Sequence, residues 1–448
     1  MRQTRGMTAI PRRDFAVLFA VLLVVAAGNT ALQSVLPSIA VEIGLPKSLV
    51  AVIFSLSALL WTLSSPYWAR QSDVRGRKRL MLVGCAGFAV SMFGCAAAIL
   101  AGLRGVLGPA AVFLTFTALR SVFGLFGSAS NPAAQAYVAA RTDAHARTAA
   151  LATLTSAFGL GTILGPGVAP YLQVAGLGLS GPMFGFAAIA VIVGVGLWRL
   201  LPDDDPAHEA GAADHRHHGA PATMPSVAAG ATGGSARAAD VGRRPRLRLR
   251  DPRIWPFMVY GFASGSVQAA TGQALGFLIL DHVGGAPAAA AKSVGIAFMV
   301  GAGATLLAQW GLIRMLGMTA SSLMRWGAAC AAAGLLGIAL APDYTGILAA
   351  FALTSLGYGF ARPGFVAGAS LMVGEDEQGA VAGAVTAVNG ACFIVAPTIG
   401  IGLYELGGPY PYAIGAGCQL LLLAYALFSP VLRRELGAAP ADAPAPPH

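Results

Sequence analysis

The chain is dominated by long, uninterrupted apolar segments, and these leave few folds open to it. Roughly twelve of them, at 15–36, 48–69, 80–101, 110–139, 148–174, 182–201, 254–280, 291–313, 319–341, 345–373, 379–405 and 411–432, are divided by short polar punctuation. A helix of about 20 residues rises far enough to cross ~30 Å of hydrocarbon, so each segment has the length of a membrane span. Runs such as Phe15 to Val25 and Phe186 to Leu197 are apolar on every face, whereas a transmembrane barrel needs in-and-out alternation over ~10 residues. Only 11% of the 448 residues are charged, against ~25% in soluble domains, which excludes a water-soluble enzyme. The expected fold is an all-α integral membrane bundle.

Five cysteines (Cys85, Cys95, Cys330, Cys392 and Cys418) lie inside apolar runs without C-x-x-C spacing, so neither a disulfide framework nor a zinc site is indicated. The net charge of +10 does not point to nucleic acid, because the basic residues flank hydrophobic spans instead of forming a stripe with aromatics between. Their distribution sets orientation. With a cytoplasmic N-terminus, 23 of the 29 Lys and Arg fall in or beside cytoplasmic segments. Lys47, Arg104 and Lys292 lie outside, and Arg120, Arg325 and Arg362 lie within helices. The positive-inside rule therefore puts both termini in the cytoplasm of a multi-pass inner-membrane protein, its first span serving as an uncleaved signal-anchor.

The one long polar stretch, 202–253, is rich in Ala, Gly, Pro and His and ends in GRRPRLRLRDPR. It cannot bury a core and reads as a flexible cytoplasmic linker whose basic end rests on lipid headgroups. His208, His215, His217 and His218 stand near carboxylates there, yet low-complexity linker is the better reading than a metal site, and no cofactor or metal is expected. The chain thus divides into an N-terminal six-helix half (1–201), the linker (202–253), a C-terminal six-helix half (254–436) and a polar tail (437–448). The halves are internal copies: at a constant offset of 231, Pro132 falls on Pro363, Gly159 on Gly390 and Pro166 on Pro397. Parallel repeats around a central cavity can alternate access by rocking against each other.

Three motifs carry chemistry. Between the second and third spans stands DVRGRKR, with Asp73, Gly76, Arg77 and Lys78. A carboxylate at a helix end pairs with cations or helix N-termini, and Gly76 permits the tight turn. In the fourth span RSVFG holds Arg120, which costs at least ~2.5 kcal/mol in hydrocarbon and so must face a cavity or a partner. In the fifth span GLGTILGPGVAP presents Gly161, Gly165 and Pro166, small residues for close helix approach and a proline that bends the helix.

These motifs, with the span count and the repeat, resemble the major facilitator superfamily, in particular its drug/proton antiporter-like exporters. The loop matches D-x-x-G-R-K/R, although Ala69 stands where the family usually has glycine. Arg120 matches R-x-x-x-G, and Gly161 to Pro166 matches G-x-x-x-G-P, with Ala169 and Pro170 replacing the glycines that usually follow. The resemblance implies two pseudo-symmetric six-helix bundles, a gating latch at Asp73, Gly76, Arg77 and Lys78, and a role for Arg120 in proton transfer or in organising the cavity. It also implies that the first and seventh spans line that cavity. Asn29, Gln33, Gln268 and Gln273, with Asn389 from the eleventh span, are then the substrate-side candidates, since amides are costly against lipid and suited to a wet cavity.

Proton coupling has the weakest signal. No carboxylate sits mid-membrane, and the candidates for titration are Asp281 with His282 beside it, or Asp73. Arg362, before Pro363, is placed to snorkel to the interface. The expected function is secondary export of a small organic molecule (a drug, an antibiotic or a metabolite such as a siderophore) in exchange for protons, by a monomer whose partners are substrate, protons and membrane lipids. Uptake by symport, or sensing without transport, are the alternatives. No Walker loop, H-E-x-x-H or G-x-S-x-G constellation supplies ATP-driven or hydrolytic chemistry.

Overall fold

A computed structural model describes residues 10–142, 144–174, 176–203, 250–374 and 377–433. Among them the regular structure is helical throughout, with no strand. The histidines of the linker and the polar tail lie outside the described residues. In the first half the helices are α1 (Arg12–Ile43), α2 (Lys47–Arg75), α3 (Arg77–Leu103), α4 (Pro109–Phe126), α5 (Ser130–Arg141), α6 (Ala144–Val168) and α7 (Gly181–Leu200). In the second they are α8 (Trp255–Val283), α9 (Pro287–Leu306), α10 (Ile313–Leu316), α11 (Ala320–Leu340), α12 (Tyr344–Leu371), α13 (Gln378–Leu406) and α14 (Tyr410–Phe428).

Ten helices among the described residues are long and apolar enough to cross a membrane, two fewer than the roughly twelve expected. The remaining two expected spans are α6 and α8, helices of 25 and 29 residues packed in the same bundle. α8 carries Ser264, Ser266, Gln268, Thr271 and Gln273, which lower its hydropathy while leaving it long enough to span.

Local chemistry explains the breaks. Gly44 ends α1 at φ +78°, its N–H returning to the carbonyls of Ala40 and Val41. Gly76 joins α2 to α3 at φ +89°, a backbone state that other residues adopt only with strain. The repeat prolines behave differently. Before Pro132 the fourth span passes through a 3-10 turn, Gly127–Ala129, between α4 and α5, whereas Pro363 is held inside the continuous α12. A π segment, Leu307–Leu312, links α9 to α10.

The two ends of each half lie at the same side of the bundle: Leu18 and Leu201 share one core cluster, and Ile254 and Leu432 share another. The apolar core is unequal between the two ends. Away from the termini a single cluster takes in both halves, from Val35, Leu36 and Ile39 of α1 to Leu275, Phe277 and Ile279 of α8 and Ile401 of α13. Toward the termini it gives way to two separate clusters: one around Leu18, Leu80 and Tyr137 in the first half, the other around Phe257, Met324 and Phe365 in the second. The bundle is joined at one end and divided at the other.

Candidate functional site

The joined end is closed by polar contacts between the halves. Lys47, first residue of α2, places its Nζ 3.0 Å from Asp281 Oδ2 near the end of α8. Tyr404 of α13 donates its hydroxyl to the same carboxylate oxygen at 2.5 Å, and the Lys47 ammonium lies 4.9 Å from the Tyr404 ring centroid. One residue along each helix, the Ser48 N–H donates to Glu405 at 2.9 Å, an acceptor for an orphan donor in the first turn of α2. Deeper in, Ser55 and Thr398 share a hydrogen bond at 3.1 Å. Lys47, Tyr404 and the pairing of Glu405 with α2 were not singled out in the sequence. The signal for them is the scarcity of charge, since Lys47 is one of only three cations assigned to that side.

The sequence candidates fall into three groups. Gln33, Gln268 and Gln273 meet on one cavity, which α1 enters through Gln33 and the second half completes. Gln268 and Asn389 line a second cavity, which shares Gln268, Tyr358 and Phe393 with the first. Asn29 lines neither cavity and instead accepts a hydrogen bond from Arg120 Nη2, which is buried with it. The guanidinium lies 4.4 Å from the Phe123 ring centroid, while its Nε and Nη1 have no hydrogen-bond partner among the described residues. Arg120 thus ties α4 to α1 and keeps two donors in reserve.

The second group is the glycine–proline stretch of α6. A Cβ added to Gly161 would stand 2.6 Å from the Leu23 carbonyl oxygen, and one on Gly165 would overlap the Ala27 carbonyl, so α6 and α1 touch backbone to backbone. Thr30 of α1 adds a long hydrogen bond to the Gly161 carbonyl at 3.4 Å. On its other side the Pro166 carbonyl packs on Gly295 of α9, making α6 a contact between the halves.

The third group is at the divided end. The Asp73 side chain lies outside the described residues. Lys78, at the start of α3, pairs at 2.9 Å with Asp203, just beyond α7 in the same half. Arg77 is the first residue of α3. In the second half Arg253 joins Asp251 and Glu377 at 2.8–3.1 Å; its hydrogen bonds hold both carboxyls below their ordinary values, and they in turn raise the guanidinium. His282 turns its Nδ1 to its own helix, donating to the Leu278 carbonyl at 2.9 Å. Arg362 corrects an expectation: it lines the second cavity rather than snorkelling out, because it sits nine residues, or about 13 Å, inside the end of α12.

The family model of the Major Facilitator Superfamily matches residues 18–397, from α1 into α13. The chain belongs to the Major Facilitator Superfamily. Membership makes it a membrane transporter rather than an enzyme. This major facilitator protein is 28% identical over 183 residues to multidrug resistance protein 2 of Bacillus subtilis, a stretch covering 40% of this chain and 42% of that one. It is 33% identical over 175 residues to the multidrug efflux pump LfrA of Mycolicibacterium smegmatis, covering 36% and 31% of the two chains. The matched stretches therefore span less than half of either relative. The crystal structure of the human organic anion transporter MFSD10 (TETRAN) superposes with a TM-score of 0.61 over 93% of this chain and 99% of that one, at 19% identity, and so shares the fold.

Proposed function

We propose that this major facilitator protein exports a small organic molecule in exchange for protons, as a monomer in the cytoplasmic membrane with both termini inside. The observation that carries the reading is a core joined at one end and divided at the other, around cavities lined by amide and hydroxyl groups. Orientation by the positive-inside rule makes the divided end cytoplasmic, so this is the state that admits substrate from within. The halves 1–201 and 254–436, linked by 202–253, then rock about α1, α2, α6, α8, α9 and α13 to open the other face.

Asp281 is the residue we assign to proton coupling. Ionised, it holds Lys47 and Tyr404 and keeps the outer face shut; protonated, it loses the charge that holds them. His282, directed at its own helix, is the lesser candidate, and Arg120 organises the centre through Asn29. The named multidrug relatives support export as the direction.

The test is untargeted mass spectrometry of medium and extract from cells lacking the protein, cells restored with it, and cells restored with Arg120→Ala. Export predicts one compound retained inside the first and third and depleted from their medium. A compound left unconsumed in the medium would establish uptake instead.

A further inference from the structure

Three carboxamides meet in the larger cavity with their hydrogen-bonding capacity unused. Gln33 comes from α1, Gln268 and Gln273 come from α8, and none of the three side chains makes a hydrogen bond among the described residues. Gln33 is only 7% exposed, so its amide is largely removed from bulk water as well. The hydroxyl of Tyr412, a fully buried residue of the same lining, also has no partner among the described residues. Buried amides and hydroxyls are normally paired, and each carboxamide offers two N–H donors and a carbonyl acceptor.

The backbone leaves room beside these amides. Both α1 and α8 run from the divided end toward the joined end, and Gly276 of α8 packs on Pro37 of α1, where an added Cβ would come 2.5 Å from Pro37 Cγ. One turn earlier on each helix stand Gly272 and Gln33, and there a Cβ on Gly272 would meet nothing within 4 Å. Gly272 therefore opens a notch in the cavity wall at the height of Gln33, between Gln268 and Gln273 on its own helix. Phe298 and Phe351, an edge-to-face pair with ring centroids 6.1 Å apart, supply aromatic surface to the same lining. Asp281 lies nine residues, or about 13 Å, further along α8, so the notch is a site apart from the contact with Lys47.

We propose that Gln33, Gln268 and Gln273 form a subsite for an amide-type edge, and that the transported molecules are planar aromatic compounds in which an N–H donor stands beside a carbonyl acceptor, as in a lactam, an imide or a carboxamide. The ring lies against Phe298 and Phe351 in the notch at Gly272, and the glutamine amides read the edge. The inference rests on the transport reading and names its substrate class. A glutamine amide matches such an edge with two antiparallel hydrogen bonds, its N–H to the carbonyl and its carbonyl to the N–H, as glutamine does with the edge of adenine. A ligand without the donor leaves a sheltered glutamine carbonyl unpaired, and that loss distinguishes the full edge from a carbonyl alone.

The test measures equilibrium binding to the full chain in micelles by calorimetry, against protein-free micelles, with three flat bicyclic probes: 2-quinolone, coumarin and 1-methylquinolinium. 2-Quinolone carries both donor and acceptor, coumarin has a ring oxygen in place of the N–H, and 1-methylquinolinium has neither. 2-Quinolone is expected to bind about tenfold or more tightly than either of the others. The triple variant Gln33→Met, Gln268→Met and Gln273→Met keeps side-chain length and removes the amides; it should erase that preference and leave coumarin within about twofold of the parent. Gly272→Leu grows into the notch without touching an amide. It should weaken 2-quinolone and coumarin alike by about tenfold, so the proposal stays testable if the triple variant does not fold. Equal binding of 2-quinolone and coumarin, a preference for 1-methylquinolinium, no binding of 2-quinolone, a preference that survives the triple variant, or parent-like binding to Gly272→Leu overturns the subsite. Proton movement separates the two readings. In proteoliposomes holding an imposed pH gradient, 2-quinolone should speed the decay of the gradient more than coumarin does. Selective binding with no effect on the gradient leaves the subsite standing and refutes exchange of substrate for protons, whereas decay driven by 1-methylquinolinium above 2-quinolone overturns the subsite alone.

Discussion

Replacing Asp281 by asparagine should loosen the seal at the joined end by an amount that the geometry sets. The Lys47–Asp281 pair is 30% and 51% exposed, so it is screened and contributes only ~0.5 kcal/mol, within the range of surface ion pairs. The Tyr404 hydroxyl would still find the asparagine carbonyl, but a bond to a carboxylate exceeds a neutral one by about 1 kcal/mol. Together, about 1.5 kcal/mol shifts the closed-to-open equilibrium about tenfold. Ser55, sealed against Thr398 below this layer, is the reporter. In a Ser55→Cys background, a membrane-impermeant maleimide should label the Asp281→Asn protein about tenfold faster than the parent, with the protein lacking that cysteine as blank. A rate unchanged within twofold would refute the assignment of Asp281 to the seal.

Three other outcomes are expected. Arg120→Ala and Asn29→Ala should each abolish most flux, and the double variant should be no worse than either alone; thermal unfolding across the cycle should give a coupling of about 1.5–3 kcal/mol, whereas additive losses would separate the two residues. Gly165→Ala forces a methyl against the Ala27 carbonyl and should cost about 1–3 kcal/mol of stability in detergent, while Gly402→Ala, with open space around it, should cost nothing. The Arg253 network has a defined sign in pH: Asp251 and Glu377 are depressed in the fold, so their contribution is complete above the ordinary carboxylate range and lost as pH falls through and below about 4. The protection of amides around 251–255 against hydrogen exchange, taken relative to the intrinsic rate at each pH, should therefore fall on acidification, and Glu377→Gln should remove most of that response.

The span pattern, the repeat and the three motifs were legible because each is a local property of the chain. An apolar run of the right length has no alternative but a membrane helix, Gly76 is required by a positive φ, and Gly161 and Gly165 are required by backbone contact with α1. Less legible was which way a polar side chain turns. Asn29 and Gln33 lie one turn apart on α1, yet Asn29 meets Arg120 within the first half and Gln33 reaches the cavity of the second. Nothing local distinguishes them, since their partners come from α4 and from the other repeat.

The same reason divides the whole molecule. Hydrophobicity and charge along the chain determined that it spans a membrane many times, that two copies of one unit face each other, and which few polar residues had to matter. The tertiary structure alone decided that Lys47 meets Asp281 across 234 positions of sequence, and that Arg362 opens into a cavity where a span-end reading would have sent it to the interface. Those pairings depend on the rotation and depth of each helix against helices from the other half. Packing sets both, whereas sequence periodicity sets only the face.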